Sequence, residues 1–543
     1  MKTENATLMQ MDRKSLKRKW GLTIGVFVVY LFLVLSCTKQ KPDDMVRILI
    51  SDSVLNTMQG GFGASMHAID DSLPVSTDNG KYRSWGGSVW GGNPVAEDTA
   101  RWNQIYKHAE WLGLDWCRVE IDHRMYEPQK NTFSFENKEM KILYRWLDYC
   151  QSHDVDVYFT EMWPGVKWLV VKNFLGRGED EIRSAPNDFD AWADGFVNLL
   201  DHLINNKKYT CIKWVSINNE PMETWSWWKK ADGSSQDILP GLIAMKERID
   251  KKNLPVHLVA TDGPLRYSIN DEGKYVSSIG AFSFHDYGAT YDWWKSKPFI
   301  ADDVDALKKW KDFGRKNGNL PVFMAEFGTM MYGFTKDTVA PSIWNSVLHD
   351  AQMMIRMSNA GIDGMNRWSF TNRGTLDGQW QLIDTWDTAK HCLKEKITPH
   401  KNAYYAIGLL TRFSAKYSDV LKTTVVGGKD SIIFERLDHS KDTVHRIFAT
   451  TFKKGNNYSV FITNDSENEY PLELSFENKN KNIVLYLYSI DEKGNEGKTD
   501  CVIEPLTECN VNNNSIIRGI IKPKSIMVYT TYKLGANDKG IVQ

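Results

Sequence analysis

From about residue 60 to residue 400 the chain alternates short apolar runs with amphipathic patterns, and this alternation restricts its fold more than any other feature. The runs are "GGFGASMHAI", "LDWCRVEID", "VDVYFTEMW", "IKWVSINNEP", "VHLVATDGP", "IGAFSFHDY", "LPVFMAEFG" and "GIDGMNRWSF". They are nearly continuous in hydrophobicity, as strands of a parallel sheet covered on both faces must be. Between them, apolar residues recur at steps of three and four: Met140, Leu143, Leu147 and Cys150, then Trp192, Phe196, Leu199 and Leu203, then Val304, Leu307, Trp310 and Phe313. Each set puts one apolar stripe on a helix. Eight strands separated by helices predict a (β/α)8 TIM barrel. A doubly wound open sheet is the competing arrangement, but no Gly-rich nucleotide loop opens an early helix.

After about residue 412 the pattern changes. "TTVVGGKDSIIFERL", "HRIFATTF", "YSVFITN", "LELSFEN", "IVLYLYSI" and "KSIMVYTTY" follow one another through Gly, Asn, Asp and Lys turns with no helical pattern between them. This predicts an all-β sandwich. The early run "VRILISDSVLNTMQG" is also strand-like and is a candidate extra strand of that sandwich. The expected organisation is a barrel over 47–411, with 47–59 able to pair with the second domain, and a sandwich over 412–535.

The N-terminus reads as a targeting segment. Arg13, Lys14, Lys17, Arg18 and Lys19 precede the apolar stretch "GLTIGVFVVYLFLVLS", which ends at Cys37. A positive n-region before a short apolar h-region is a signal peptide pattern, expected over 1–36. "VLSC" resembles a bacterial lipobox, so Cys37 is the expected lipidation site and 37–46 a polar tether. An uncleaved transmembrane anchor is the alternative, because sixteen apolar residues come close to a minimal span. The expected location is the bacterial cell envelope, lipid-anchored at the outer membrane and facing the periplasm or the outside. The other six cysteines show no zinc spacing; Cys501 and Cys509 are close enough in sequence for a disulfide.

Composition narrows the partners. The 67 basic residues nearly balance 68 acidic ones, which gives no electrostatic case for nucleic acid. The chain is rich in aromatic residues, with 21 Trp, 22 Tyr and 23 Phe. Such residues fill large cores, and they also stack on ligands with flat apolar faces, such as sugar rings.

In a (β/α)8 barrel the chemistry lies at the C-terminal ends of the strands. Reading those ends in order gives Arg118 with Asp122 and His123, Glu161 with Trp163, Asn219 with Glu220, Asp262, His285 with Tyr287, Glu326, and Trp368. Two glutamates stand out, in "INNEP" at Glu220 and in "FMAEFG" at Glu326, on the fourth and seventh strands of the tally. This arrangement resembles clan A of the glycoside hydrolases, and most of all family 30 with its neighbours, families 5 and 39. The resemblance implies a retaining β-glycoside hydrolase with Glu220 as acid/base and Glu326 as nucleophile. By the same resemblance Asn219 meets the sugar 2-hydroxyl, Arg118 and the His285–Tyr287 pair serve the nucleophile strand end, and Trp368 floors the first sugar subsite. "GGFGAS", the joining helix within "NAYYAIGLLTRF" and the last strand "KPKSIMVYTTY" carry the resemblance across residues 47–535.

Each residue has a structural alternative. Arg118 could be an ion-pair partner of Glu120 or Asp122, His285 a satisfied core residue, and Glu161 an interior partner of Arg118. Asp122 and His123 are candidate subsite contacts. Trp163, Trp225, Trp227, Trp228, Trp293, Trp294 and Trp380 all follow strand ends, and two or three of them are expected to be sugar platforms, Trp163 and Trp225 foremost. The expected partner is an oligo- or polysaccharide and the expected state a monomer, with no metal or organic cofactor. An endo-acting glucanase or xylanase is the favoured activity. A transglycosylase would share every residue named, and a non-catalytic surface glycan-binding lipoprotein is the alternative from another class.

Overall fold

The computed structural model describes residues 45–68, 84–85, 88–89, 93–163, 165–172, 184–223, 226–264, 273–287, 302–328, 344–371, 380–387, 390, 392–428, 430–435, 441–478, 483–492, 503–511 and 516–541. Cys37, Trp225, Trp293, Trp294 and Cys501 lie outside them, as does the side chain of Trp163.

Eight parallel strands close into a barrel. The first is Gly61–Ala64, continued by Met66–His67; the next seven are Trp116–Asp122, Asp156–Trp163, Ile212–Ser216, His257–Pro264, Ala281–Asp286, Val322–Phe327 and Gly364–Arg367. Closure is direct, since Gly364–Arg367 pairs with Gly61–Ala64, and Gly63 in turn pairs with Trp116. Two of the helical stripes expected from sequence face inwards, and Leu307 and Trp310 of the third are buried as well. Met140, Leu143, Leu147 and Cys150 are fully buried on the helix Lys138–Ser152, as are Trp192, Phe196 and Leu199 on Phe189–Asp201. Asn137 Oδ1 accepts the Met140 N–H at 2.9 Å and starts the first of these helices.

The glycines of "GGFGAS" are required by closure. Gly61 has φ +68°, and a Cβ there would fall within 2.0 Å of the Asp115 carboxylate. A Cβ on Gly63 would sit 2.1 Å from the Trp116 carbonyl oxygen. Gly63→Ala is therefore expected to force the first and second strands apart and to cost about 2–3 kcal/mol, read from the urea midpoint. An unchanged midpoint would show that the barrel seam yields without cost.

The barrel interior is layered. Trp116, Tyr158, Val259, Ala281, Phe323 and Ala325, with Trp214 against them, form an apolar plug at the N-terminal half of the strands. One pleat further on, the same faces carry Arg118, Thr160 and Ser283, all buried. The polar layer at the C-terminal mouth thus stands on a hydrophobic floor.

The second domain is a nine-stranded sheet, all antiparallel except where Val46–Met58 runs parallel to Tyr470–Phe476. Val46–Met58 also pairs antiparallel with Ser418–Val426, so the early strand belongs to this sheet. Hydrogen bonding runs continuously through the sheet, which folds over so that its end strands, Thr507–Val511 and Ile516–Ile521, approach one another. Strands across it enclose one apolar core, as the expected sandwich requires. Alternate residues of the central strands face different partners. Val460, Ile462, Met527 and Tyr529 pack into that core, while Phe461, Ile526 and Val528 join the barrel core. Burial on both faces explains why "YSVFITN" and "KSIMVYTTY" read as continuous apolar runs. The helix Lys401–Thr411 lies at this junction, and Arg412 after it stacks 4.2 Å over Trp111 of the helix Thr99–Leu112.

Candidate active site

Strict alternation along the seventh strand would point Glu326 away from the barrel axis, with Met324. The strand avoids this through a bulge. Met324 pairs with Phe284, but the next pair is Glu326 with His285, so Ala325 is an extra residue. Met324 joins the outer core and Ala325 the inner plug, and the extra residue then puts Glu326 on the inward face of His285. The fifth strand uses the same device: Ser283 pairs with Thr261 and Phe284 with Gly263, leaving Asp262 as the extra residue. Asp262 has φ +57°, in the left-handed region. Glu220 is also left-handed, with φ +45°, and its N–H donates to the Asp262 carbonyl at 2.7 Å. A non-glycine backbone held there costs of order 1–3 kcal/mol and persists where its surroundings fix it.

These residues converge with Arg118, which is fully buried. Its Nη2 donates to Asn219 Oδ1 at 2.7 Å and to Asp262 Oδ2 at 3.0 Å. Its Nη1 lies 2.6 Å from Glu326 Oε1 and 3.5 Å from Glu120 Oε1. The Tyr287 hydroxyl donates to Glu326 Oε2 at 2.5 Å. His285 bridges two carboxylates, with Nδ1 2.9 Å from Glu220 Oε1 and Nε2 2.9 Å from Asp262 Oδ1; Nδ1 is also 3.5 Å from Glu326 Oε2. One oxygen of Glu220, one of Glu326 and a ring nitrogen of His285 all lie within 4.8 Å of one another.

The electrostatics follow from these contacts. Burial disfavours a charged His285, but the Glu326 and Asp262 carboxylates outweigh it and raise the imidazole to about 10. Burial likewise opposes ionisation of Asp262, yet Arg118 and His285 hold that carboxyl well below the usual range. Burial raises the Glu326 carboxyl above its ordinary value and the facing Glu220 adds to the rise, while His285, Arg118 and the Tyr287 hydroxyl oppose it. Glu220, His285 and Glu326 could ring a cation by distance alone. A protonated imidazole with both nitrogens on carboxylates offers a metal no lone pair, however, so the donor set suits a proton and a positive charge better than an ion.

Six of the residues read from strand ends are therefore joined by direct contacts: Arg118, Asn219, Glu220, His285, Tyr287 and Glu326. Trp368 ends the eighth strand; its N–H donates to the Phe327 carbonyl at 3.0 Å, and its own carbonyl accepts from Arg367 Nη1 at 2.5 Å. Arg367 is fixed in turn by Asp350 at 2.8 Å. Asp262 is the member that had no assigned role, although "ATDGP" places it at a strand end.

Other expectations are corrected. Glu161 does not meet Arg118. It lies on the opposite pleat from Tyr158 and Thr160 and takes hydrogen bonds from Tyr126 at 2.5 Å, from His123 at 2.9 Å and from Trp192. His123 is fully buried between Glu161 and Glu127, so it is not a subsite contact. Burial would lower His123, and those two glutamates instead raise it to about 9. Asp122 accepts from the N–H of Arg124 and pairs with its side chain at 2.9 Å. Trp228 is 2% exposed and packs edge-on against Trp192 at 5.6 Å, which makes it core rather than a sugar platform. Trp227 and Trp380 are buried as well.

No family model matches the chain, and no curated protein matches it in sequence. Solved structures do. A family GH30 endoxylanase from Clostridium papyrosolvens C71 superposes with a TM-score of 0.57 at 11% identity, covering 89% of this chain and 99% of its own. An endo-β1,6-glucanase gives a TM-score of 0.59 at 13% identity, covering 90% and 94%. An α-L-arabinofuranosidase from Thermotoga maritima gives 0.57 at 14% identity, covering 90% and 100%. At these identities the likeness is one of fold, and it runs through both domains: the chain has the barrel-and-β-domain architecture of glycoside hydrolases of the clan that its strand-end motifs resemble.

Proposed function

We propose that the chain is a retaining β-glycoside hydrolase, with Glu326 as nucleophile and Glu220 as acid/base. The separation of these two carboxylates carries the reading. Retaining enzymes hold their two carboxyl groups about 5–5.5 Å apart, whereas inverting enzymes leave about 6.5–9.5 Å for a water. One oxygen of Glu220 lies within 4.8 Å of one oxygen of Glu326, on the short side of that divide.

In the first step the Glu326 carboxylate attacks the anomeric carbon while Glu220 gives its proton to the departing oxygen. In the second, water attacks the glycosyl ester, Glu220 takes the water's proton, and Glu326 leaves as a carboxylate. Arg118 and the Tyr287 hydroxyl hold Glu326 in place and favour its ionised form. The Asn219 amide oxygen is taken by Arg118, so its NH2 group is the end turned to a sugar hydroxyl. Substrates named for the fold's neighbours include xylan and β1,6-glucan; we assign this chain an endo action on a β-linked glucan or xylan, with the envelope anchor at Cys37 holding it near polymer.

The test is proton NMR of the first-formed product on a panel of β-glucans, xylans and arabinofuranosides. A β-anomer appearing before mutarotation on a β-linked substrate is expected. An α-anomer would remove the double displacement. Binding to oligosaccharides without any cleavage would favour the glycan-binding lipoprotein instead.

A further inference from the structure

We propose that Asp262 is a positioning residue that pins His285 as a cation between the two glutamates, so that one positive charge serves Glu326 before the glycosidic bond breaks and Glu220 afterwards. This rests on the retaining reading above.

The geometry is specific to that task. Asp262 is fully buried and accepts from five donors. Tyr158 at 3.0 Å, Ser283 at 3.2 Å and His285 at 2.9 Å meet Oδ1; Thr160 at 3.1 Å and Arg118 at 3.0 Å meet Oδ2. Its bulge and left-handed backbone turn the carboxylate to the axis, behind the imidazole rather than beside the reacting atoms. With Nε2 committed to Asp262, the other ring nitrogen faces Glu220 at 2.9 Å and Glu326 at 3.5 Å. The charged and titratable groups around the ring are Asp262 of the fifth strand, Glu220 after the fourth, Glu326 of the seventh and Tyr287 after the sixth. Arg118 and Glu120 of the second strand and Tyr158 of the third stand behind them.

The reaction moves one negative charge twice. When Glu326 bonds the anomeric carbon and the bond to the leaving oxygen breaks, Glu326 becomes a neutral ester. Glu220, having given its proton to that oxygen, becomes a carboxylate. When water bonds the same carbon, its proton returns to Glu220 and the ester electron pair to Glu326. A cation within reach of both oxygens compensates either owner of the charge, and an immobile carboxylate behind it keeps it protonated throughout.

The experiment has two arms. Nitrogen-15 histidine NMR of the whole protein, with His285→Gln to assign the signal, is expected to show a ring protonated well above pH 8. In Asp262→Asn it is expected to titrate about one to two pH units lower. This arm needs no turnover, so it judges the pinning even if no glycan is cleaved and the retaining reading falls. In the second arm, kcat/KM profiles of His285→Gln are expected to move both limbs to higher pH by about one unit, because both glutamates lose a compensating charge. Asp262→Asn, whose ring stays charged through that range, is expected to leave them in place. Adding Asp262→Asn to His285→Gln is expected to move them no further. A wild-type ring titrating near 6.5 would overturn the proposal even if Asp262→Asn does not fold. Unmoved limbs in His285→Gln would overturn it as well, and lost activity with an unmoved ring in Asp262→Asn would reduce Asp262 to packing.

Discussion

Glu326→Ala is expected to lower glycan cleavage on the order of 10⁶-fold, the scale seen when an enzyme loses its covalent nucleophile. The change removes a group that has Arg118 at 2.6 Å and the Tyr287 hydroxyl at 2.5 Å. Arg118 keeps Asp262 and Asn219 as partners, so the guanidinium is not stranded and the barrel is expected to fold. Azide should then enter the space left below the anomeric carbon. With a β-glycoside bearing a good leaving group, it is expected to restore turnover and yield the α-glycosyl azide. Rescue to a β-azide would place the missing group on the other face and reassign the nucleophile. Retained full activity would remove Glu326 from the mechanism. Glu220 makes the contrast sharp, because an acid/base variant leaves the face below the sugar closed to azide.

Much of this site was legible because barrel chemistry is tied to strand ends, and strand ends are marked by a polar residue closing an apolar run. "INNEP" and "FMAEFG" were found that way, as were Arg118, His285 and Tyr287. Orientation was not legible. Period-two counting puts Glu326 on the outer face with Met324, and only the extra residue Ala325 reverses it. Glu161 obeys period-two counting, lying on the opposite pleat from Tyr158 and Thr160, and that count already excludes it as an interior partner of Arg118. Nothing in its local sequence names His123 and Trp192 as its partners. Asp262 was visible as a strand end but not as a hub, since its five donors come from three other strands far apart in sequence. The side chains of the foremost platform candidates, Trp163 and Trp225, lie outside those described, and among the others position alone does not separate platform from core. Trp228 follows a strand end as a sugar platform would, yet it is claimed by Trp192 and Phe189, a contact that no local pattern encodes. In the second domain the runs revealed the strands and the all-β fold; that hydrogen bonding passes unbroken through nine strands was not legible, because run lengths do not record it.

Arg118→Met should produce the largest loss of stability. Arg118 has no exposed surface and faces three carboxylates, Asp262 at 3.0 Å, Glu326 at 2.6 Å and Glu120 at 3.5 Å. Methionine keeps much of the volume but leaves those charges in a dry interior without their cation. Breaking a buried pair in this way costs about 3–5 kcal/mol, a large share of the roughly 5–15 kcal/mol that holds a domain folded. The pH dependence separates charge from packing. Asp262 is held below its ordinary 3.8, so it contributes stability above that pH which is lost as pH falls towards its folded value. Arg118→Met removes this contribution, and the variant's buried carboxylates take up protons more readily. Urea unfolding is therefore expected to show the full deficit at pH 7 and a smaller one near pH 4, where the wild type keeps the Asp262 contribution but the variant's buried carboxylates are relieved by protonation. Arg118→Lys, which keeps the charge but not the two-armed fork, should fall between them. An equal deficit at both pH values would mean that Arg118 stabilises the barrel by filling space, and the charge network around Glu326 would lose its structural role.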